Sequence, residues 1–135
     1  MTACVLDGSA ALSWVLPDEN GADALLDSVI AFGATVPPLW PYEVANVLLQ
    51  IERRGRLPAT ARVQALRDPQ ALPIRIDGRS CDRVWSETHA LAAAHRLTVY
   101  DASYLEMALR LGLPLATLDA DLRSAATACG VPLSI

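Results

Sequence analysis

Short, wholly apolar runs alternate along this chain with longer stretches whose apolar residues recur at helical spacing. Ala3-Cys4-Val5-Leu6 reads as a buried strand that ends at Asp7-Gly8. Ser9 opens a helical stretch through Trp14 to Leu16, stopped by Pro17. Asp18 and Glu19 stand at the start of a second helix, where acids favour the N-terminal dipole, and Ala22, Leu25, Leu26, Val29 and Ile30 follow at helical period. Ala34-Thr35-Val36 is a second strand, closed by Pro37-Pro38. Pro41 suits the first turn of a helix carrying Val44, Val47, Leu48 and Ile51, which ends at Arg53-Arg54-Gly55. Pro58 to Leu66 reads as a short helix, and Leu72 to Ile76 as a strand that its prolines keep short and edge-like. Cys81 to His95 predicts one long helix, and Asp101 opens another through Leu111, capped by Gly112. Leu115 to Leu118 is a strand, Leu122 to Cys129 a helix, and Val131 to Ile135 a last strand. Apolar strands alternating with helices predict a single α/β domain over residues 1–135. It has three α/β/α layers around a mainly parallel sheet of four to five strands. In such a fold ligands bind beyond the carboxyl ends of the strands.

Composition narrows the class. The chain has 135 residues and is 53% hydrophobic, somewhat above the usual globular share, which suggests apolar surface buried by a second chain. Its net charge is -4 and all eleven basic residues are arginine. The broad positive footprint of a nucleic-acid binder is absent, so RNA would have to be held by local arginines and metal ions. The lack of lysine excludes mechanisms that need one. Cys4, Cys81 and Cys129 are isolated and odd in number, forming no metal pair and no disulfide framework, and read as buried thiols in a reducing compartment. No run approaches a membrane span and no basic segment opens the chain, so a cytoplasmic protein is expected.

Four acids then stand out. Asp7 and Asp119 each follow a strand, Glu43 lies in the first turn of a helix, and Asp101 begins one. Each could be a cap or a dipole partner. Together they would crowd like charge at one sheet edge, raising their own pKa values or recruiting a cation. Hard carboxylate oxygens suit magnesium, which lowers the pKa of a bound water and stabilises a leaving oxygen.

The order of Val5-Leu6-Asp7-Gly8-Ser9-Ala10, Glu43-Val44-Ala45-Asn46, Asp101-Ala102-Ser103-Tyr104 and Thr117-Leu118-Asp119-Ala120-Asp121-Leu122 resembles the PIN domain from end to end. It resembles specifically the VapC-type toxin ribonucleases of bacterial type II toxin–antitoxin systems. The resemblance implies a PIN-like fold and a Mg²⁺- or Mn²⁺-dependent endoribonuclease. It carries metal-ligand and catalytic roles onto Asp7, Glu43, Asp101 and Asp119, with Asp121 as a further candidate, and supporting hydrogen bonds onto Ser9, Asn46 and Thr117. It also implies a homodimer and a small antitoxin protein as partners. Water would attack phosphorus in line, leaving 5′-phosphate and 3′-hydroxyl ends. The competing class is a catalytically silent PIN-like module that only binds a partner. His89 and His95, six apart on a predicted helix, point in different directions and read as surface or interface residues. Trp14, Trp40 and Tyr42 sit near predicted element ends, where a groove could expose them to an antitoxin helix or the core could absorb them. Arg53, Arg54 and Arg56 form the only dense basic run, explained by the dipole at a helix C-terminus.

Overall fold

A computed structural model of the chain describes residues 4–15 and 22–135. Its centre is a four-stranded sheet built from β1 (Cys4–Leu6), β2 (Ala34–Val36), β3 (Ile74–Ile76) and β4 (Leu115–Ala116), in the order β3-β2-β1-β4. All three pairings are parallel: Val5 stands opposite both Thr35 and Leu115, and Thr35 opposite Arg75. Val5, Leu6, Val36 and Leu115 have no exposed surface, as continuous apolar strands covered on both faces require. The expected fifth strand at Val131–Ile135 is reduced to a single bridge, Leu115 to Leu133. Pro132 has no N–H to extend a ladder there.

The helices are α1 (Gly8–Leu12), α2 (Ala22–Phe32), α3 (Trp40–Arg53), α4 (Ala59–Arg67), α5 (His89–His95), α6 (Val99–Leu111) and α7 (Ala120–Ala128). α3 packs with α1 and α4, while α6 lies against β1 and β4 and meets α5 and α7, giving the three layers. Leu16 and the second-helix start at Asp18 and Glu19 lie outside the described residues.

Two helical expectations are corrected. Cys81–His95 is not one α-helix: Gly78–Arg83 is 3-10, Val84–Thr88 is one π turn, and only His89–His95 is α-helical. The π turn leaves Trp85 almost fully exposed. α6 starts at Val99 rather than Asp101, because Thr98 caps it by accepting the Asp101 N–H at 3.0 Å. The thiols are also not uniformly buried: Cys4 is, Cys81 is exposed and Cys129 is half-buried with its Sγ 3.3 Å from His95 Nε2. Trp40 is in the core, Trp14 is half-buried and Tyr42 is 79% exposed. No helix among the described residues is long and apolar enough to cross a membrane.

Chain order fixes where a crevice must open. From β1 the chain steps to β2 on one side, while β4 joins β1 on the other. Beyond the carboxyl ends of β1 and β4 the crossovers diverge, and this reversal is where open α/β sheets bind ligands.

Candidate active site

Asp7 is the first residue after β1, and its N–H donates to Ala116 O at 3.0 Å, which anchors it beside β4. Its backbone occupies the cap position of α1, yet its carboxylate makes no capping bond. Oδ2 instead accepts from Ser9 Oγ at 2.8 Å and from Thr117 Oγ1 at 2.5 Å. Each hydroxyl is itself oriented by the β4 exit: Leu118 N–H donates to Ser9 Oγ at 3.0 Å and Asp119 N–H to Thr117 Oγ1 at 3.1 Å. The two strand ends are thus clasped through one carboxylate. Asp7 is buried, and that burial raises its pKa despite both hydroxyls.

Glu43 enters from the first turn of α3. The start of α1 lies against that turn: a Cβ added at Gly8 would stand 3.8 Å from the Glu43 Cβ, an ordinary contact. Glu43 Oε1 accepts from the hydroxyl of Tyr104, a fully buried residue of α6. Burial raises the Glu43 pKa, the tyrosine bond opposes this, and the charges of Asp7 and Asp101 add to the rise. Burial and the Glu43 bond together push the phenol of Tyr104 far up, so it remains a donor.

Asp101 sits in the first turn of α6. Burial, then the charges of Asp7 and Asp119, push its pKa up to about 6, with Thr98 opposing and Asp121 adding. Asp119 is a true cap of α7: its Oδ2 accepts the Leu122 N–H at 2.9 Å, and its charge acts on Asp101. Asp121 is exposed and reaches the group only through its field at Asp101.

Asp7, Glu43, Asp101 and Asp119 therefore act on one another across a single crevice. Among the described residues, however, no three carboxylates, thiols or imidazoles stand close enough to grip one ion as they are placed. The donor set itself fits a hard divalent cation: it is all oxygen, partly desolvated and mutually repelling. Of the supporting residues, Ser9 and Thr117 are where the sequence put them. Asn46 is not: it is exposed, with no hydrogen bond to the site among the described residues. Tyr104 is the residue sequence reasoning missed. It lies three after Asp101 on the same helix, a spacing that shares a face, but its partner is 61 residues away.

Fold and site together define an α/β domain with a carboxylate-lined crevice at its switch point. The profile of the PIN-domain family matches residues 4–128, and the chain belongs to that family, among its VapC-type members. It is 33% identical over 118 residues to Ribonuclease VapC3 of Pyrobaculum aerophilum, covering 87% of this chain and 90% of that protein. The crystal structure of PAE2754 from Pyrobaculum aerophilum superposes with a TM-score of 0.72 at 24% identity, over 98% of this chain and 90% of that one, a likeness of fold.

Tyr104→Phe deletes one oxygen from a sealed position. Loss of the donor is expected to lower RNA cleavage about 10–100-fold, as for other groups that orient a ligand, with the melting temperature nearly kept. Titrating Mn²⁺ against cleavage rate reads the change; full activity at every metal concentration would remove Tyr104 from the site.

Proposed function

We propose that the protein is a metal-dependent endoribonuclease toxin that hydrolyses RNA phosphodiesters to 5′-phosphate and 3′-hydroxyl ends. The observation that carries this reading is the mutual influence of Asp7, Glu43, Asp101 and Asp119 around the β1/β4 crevice. Membership of the PIN-domain family and the ribonuclease name of its VapC3 relative support it. Asp7, Asp101 and Asp119, with Glu43, would hold Mg²⁺ or Mn²⁺. Such an ion supplies a more acidic bound water and neutralises charge on the leaving oxygen.

The chain's own residues do the rest. Ser9 and Thr117 hold Asp7 in one orientation, so its second oxygen is presented without conformational search. Tyr104 fixes Glu43, whose free oxygen orients the attacking water and accepts its proton. Water enters in line, the bond from phosphorus to the 3′ oxygen breaks, and the 2′-hydroxyl stays out of the reaction. Burial raises the pKa values of Asp7, Glu43 and Asp101, so these carboxyls keep their protons, and would hold no cation, to less acidic pH than ordinary carboxyls.

A small antitoxin and a second copy of the chain are the partners this reading carries, in the cytoplasm. An apolar groove of about 430 Å³ between α3, α4 and β3, lined by Trp40, Val44, Leu66, Leu72 and Ile74, is where an amphipathic antitoxin helix would lie. The test is cleavage of a labelled RNA by the purified protein in Mn²⁺, with end analysis of the products. Cleavage with ligatable 3′-hydroxyls supports the proposal; 2′,3′-cyclic phosphates refute it.

A further inference from the structure

Three arginines that no run in the sequence brings together share one cavity of about 330 Å³: Arg75, Arg79 and Arg110. Thr35 and Arg75 are partners in the β2–β3 register, and paired residues of parallel neighbours face the same side of the sheet. The pleat therefore carries Arg75 beside Thr35. Arg79 follows β3 in the 3-10 segment Gly78–Arg83, its N–H held by Asp77 Oδ1 at 3.0 Å. Arg110 comes from the last turn of α6 and brings Leu111 with it.

The three cations are not equivalent. Arg110 is committed, with Nε 2.7 Å from Glu106 Oε1 and Nη2 2.8 Å from Asp77 Oδ2. Among the described residues Arg75 and Arg79 have no ion-pair partner. Two guanidinium side chains without an ion-pair partner thus line one cavity in a chain of net charge -4. Beside them the wall is apolar and partly open: Leu111 is 40% exposed and Leu113 adjoins it. Guanidinium forks match phosphate oxygens, and an apolar wall accepts the face of a base. A bare anion would use the arginines alone. Asp77 follows β3 as Asp7 follows β1, two strand intervals away, about 10 Å.

We infer that this cavity is a nucleotide subsite for the RNA strand cut at the acidic crevice. Arg75 and Arg79 hold a phosphate there, and Leu111 carries the adjoining base. The inference deepens the nuclease reading and rests on it. The basic run Arg53, Arg54 and Arg56 is the natural comparison, because it stands at the end of α3 and lines no part of this cavity.

The experiment is fluorescence anisotropy of a labelled single-stranded RNA 12-mer on the cleavage-inert Asp7→Asn protein in EDTA, across a range of NaCl. Adding Arg75→Gln and Arg79→Gln is expected to weaken binding about tenfold at low salt. It should also lower the salt slope by about 0.7 for each phosphate the protein no longer neutralises. Glutamine at 53, 54 and 56 should change neither. In the cleavage-competent protein the double change should raise KM about tenfold and leave kcat within about twofold. Unchanged affinity and slope would overturn the subsite, as would a kcat loss at constant KM. RNA displaced by poly-glutamate as readily as by unlabelled RNA would reassign the cavity to an acidic protein segment. A wild type that binds RNA through Arg75 and Arg79 yet cuts none would refute the nuclease reading and uphold the subsite.

Discussion

Asp7→Asn is expected to abolish RNA cleavage, by at least about 1,000-fold, while the metal-free protein melts no lower than wild type and melts higher above neutral pH. The side chains have the same shape. The asparagine carbonyl can accept from both Ser9 Oγ and Thr117 Oγ1, so the clasp between β1 and β4 survives. What disappears is the charge, which burial already disfavours in the folded protein. Its removal relieves Asp101 and Glu43, whose pKa values the Asp7 charge raises. Activity and stability therefore move in opposite directions at one residue, as expected where a site stores repulsion. Paired cleavage assays and thermal melts check it. A variant that loses activity because it melts well below wild type would show that the residue serves folding instead.

The second large effect couples pH to metal. Asp101 titrates near pH about 6 in the folded chain against 3.8 for an ordinary aspartate. A carboxyl that holds its proton more tightly when folded favours the folded state in acid and penalises it once ionised. The metal-free protein should thus lose stability as pH climbs from about 4 through about 6. For a partly solvated group the loss is about 2 kcal/mol, or about 5 °C in Tm. A divalent ion reverses the sign of this interaction. At pH 7.5, Mn²⁺ at about 100 times its Kd should add about 2.7 kcal/mol and raise Tm by several degrees. At pH 5 protons compete for the same oxygens and the shift should shrink toward zero. Asp101→Asn should flatten the metal-free pH profile and blunt the response to Mn²⁺. A wild-type Tm that ignores Mn²⁺ at pH 7.5 would contradict the metal reading directly.

What the sequence could reveal follows the range of the interactions. Apolar runs and proline positions located the four strands, because strand burial is written into consecutive residues. Asp7 and Asp119 could be assigned to one edge because each directly follows a parallel strand. Helix starts were less legible: Thr98 and Asp101 are both good terminal residues, and only the observed Thr98–Asp101 bond decides which is the cap. The π turn at Val84–Thr88 has no distinctive composition, so Cys81–His95 read as uninterrupted. Pairings between distant segments were invisible. Tyr104 finding Glu43, and Arg75, Arg79 and Arg110 converging from three elements, depend on layer packing that no local pattern encodes. Asn46 shares a helical spacing with Glu43 yet is exposed and makes no hydrogen bond to the site among the described residues, so spacing alone names no partner.

The hydroxyl of Thr117 meets a carboxylate 110 residues earlier in the chain. A ribosome releases Asp7 well before Thr117, which emerges only after β2, α3, β3 and α6. Until then β1 lacks one of its two neighbours, and the crevice has only one wall. The clasp on Asp7, and with it the second wall of the crevice, therefore forms only once β4 has emerged.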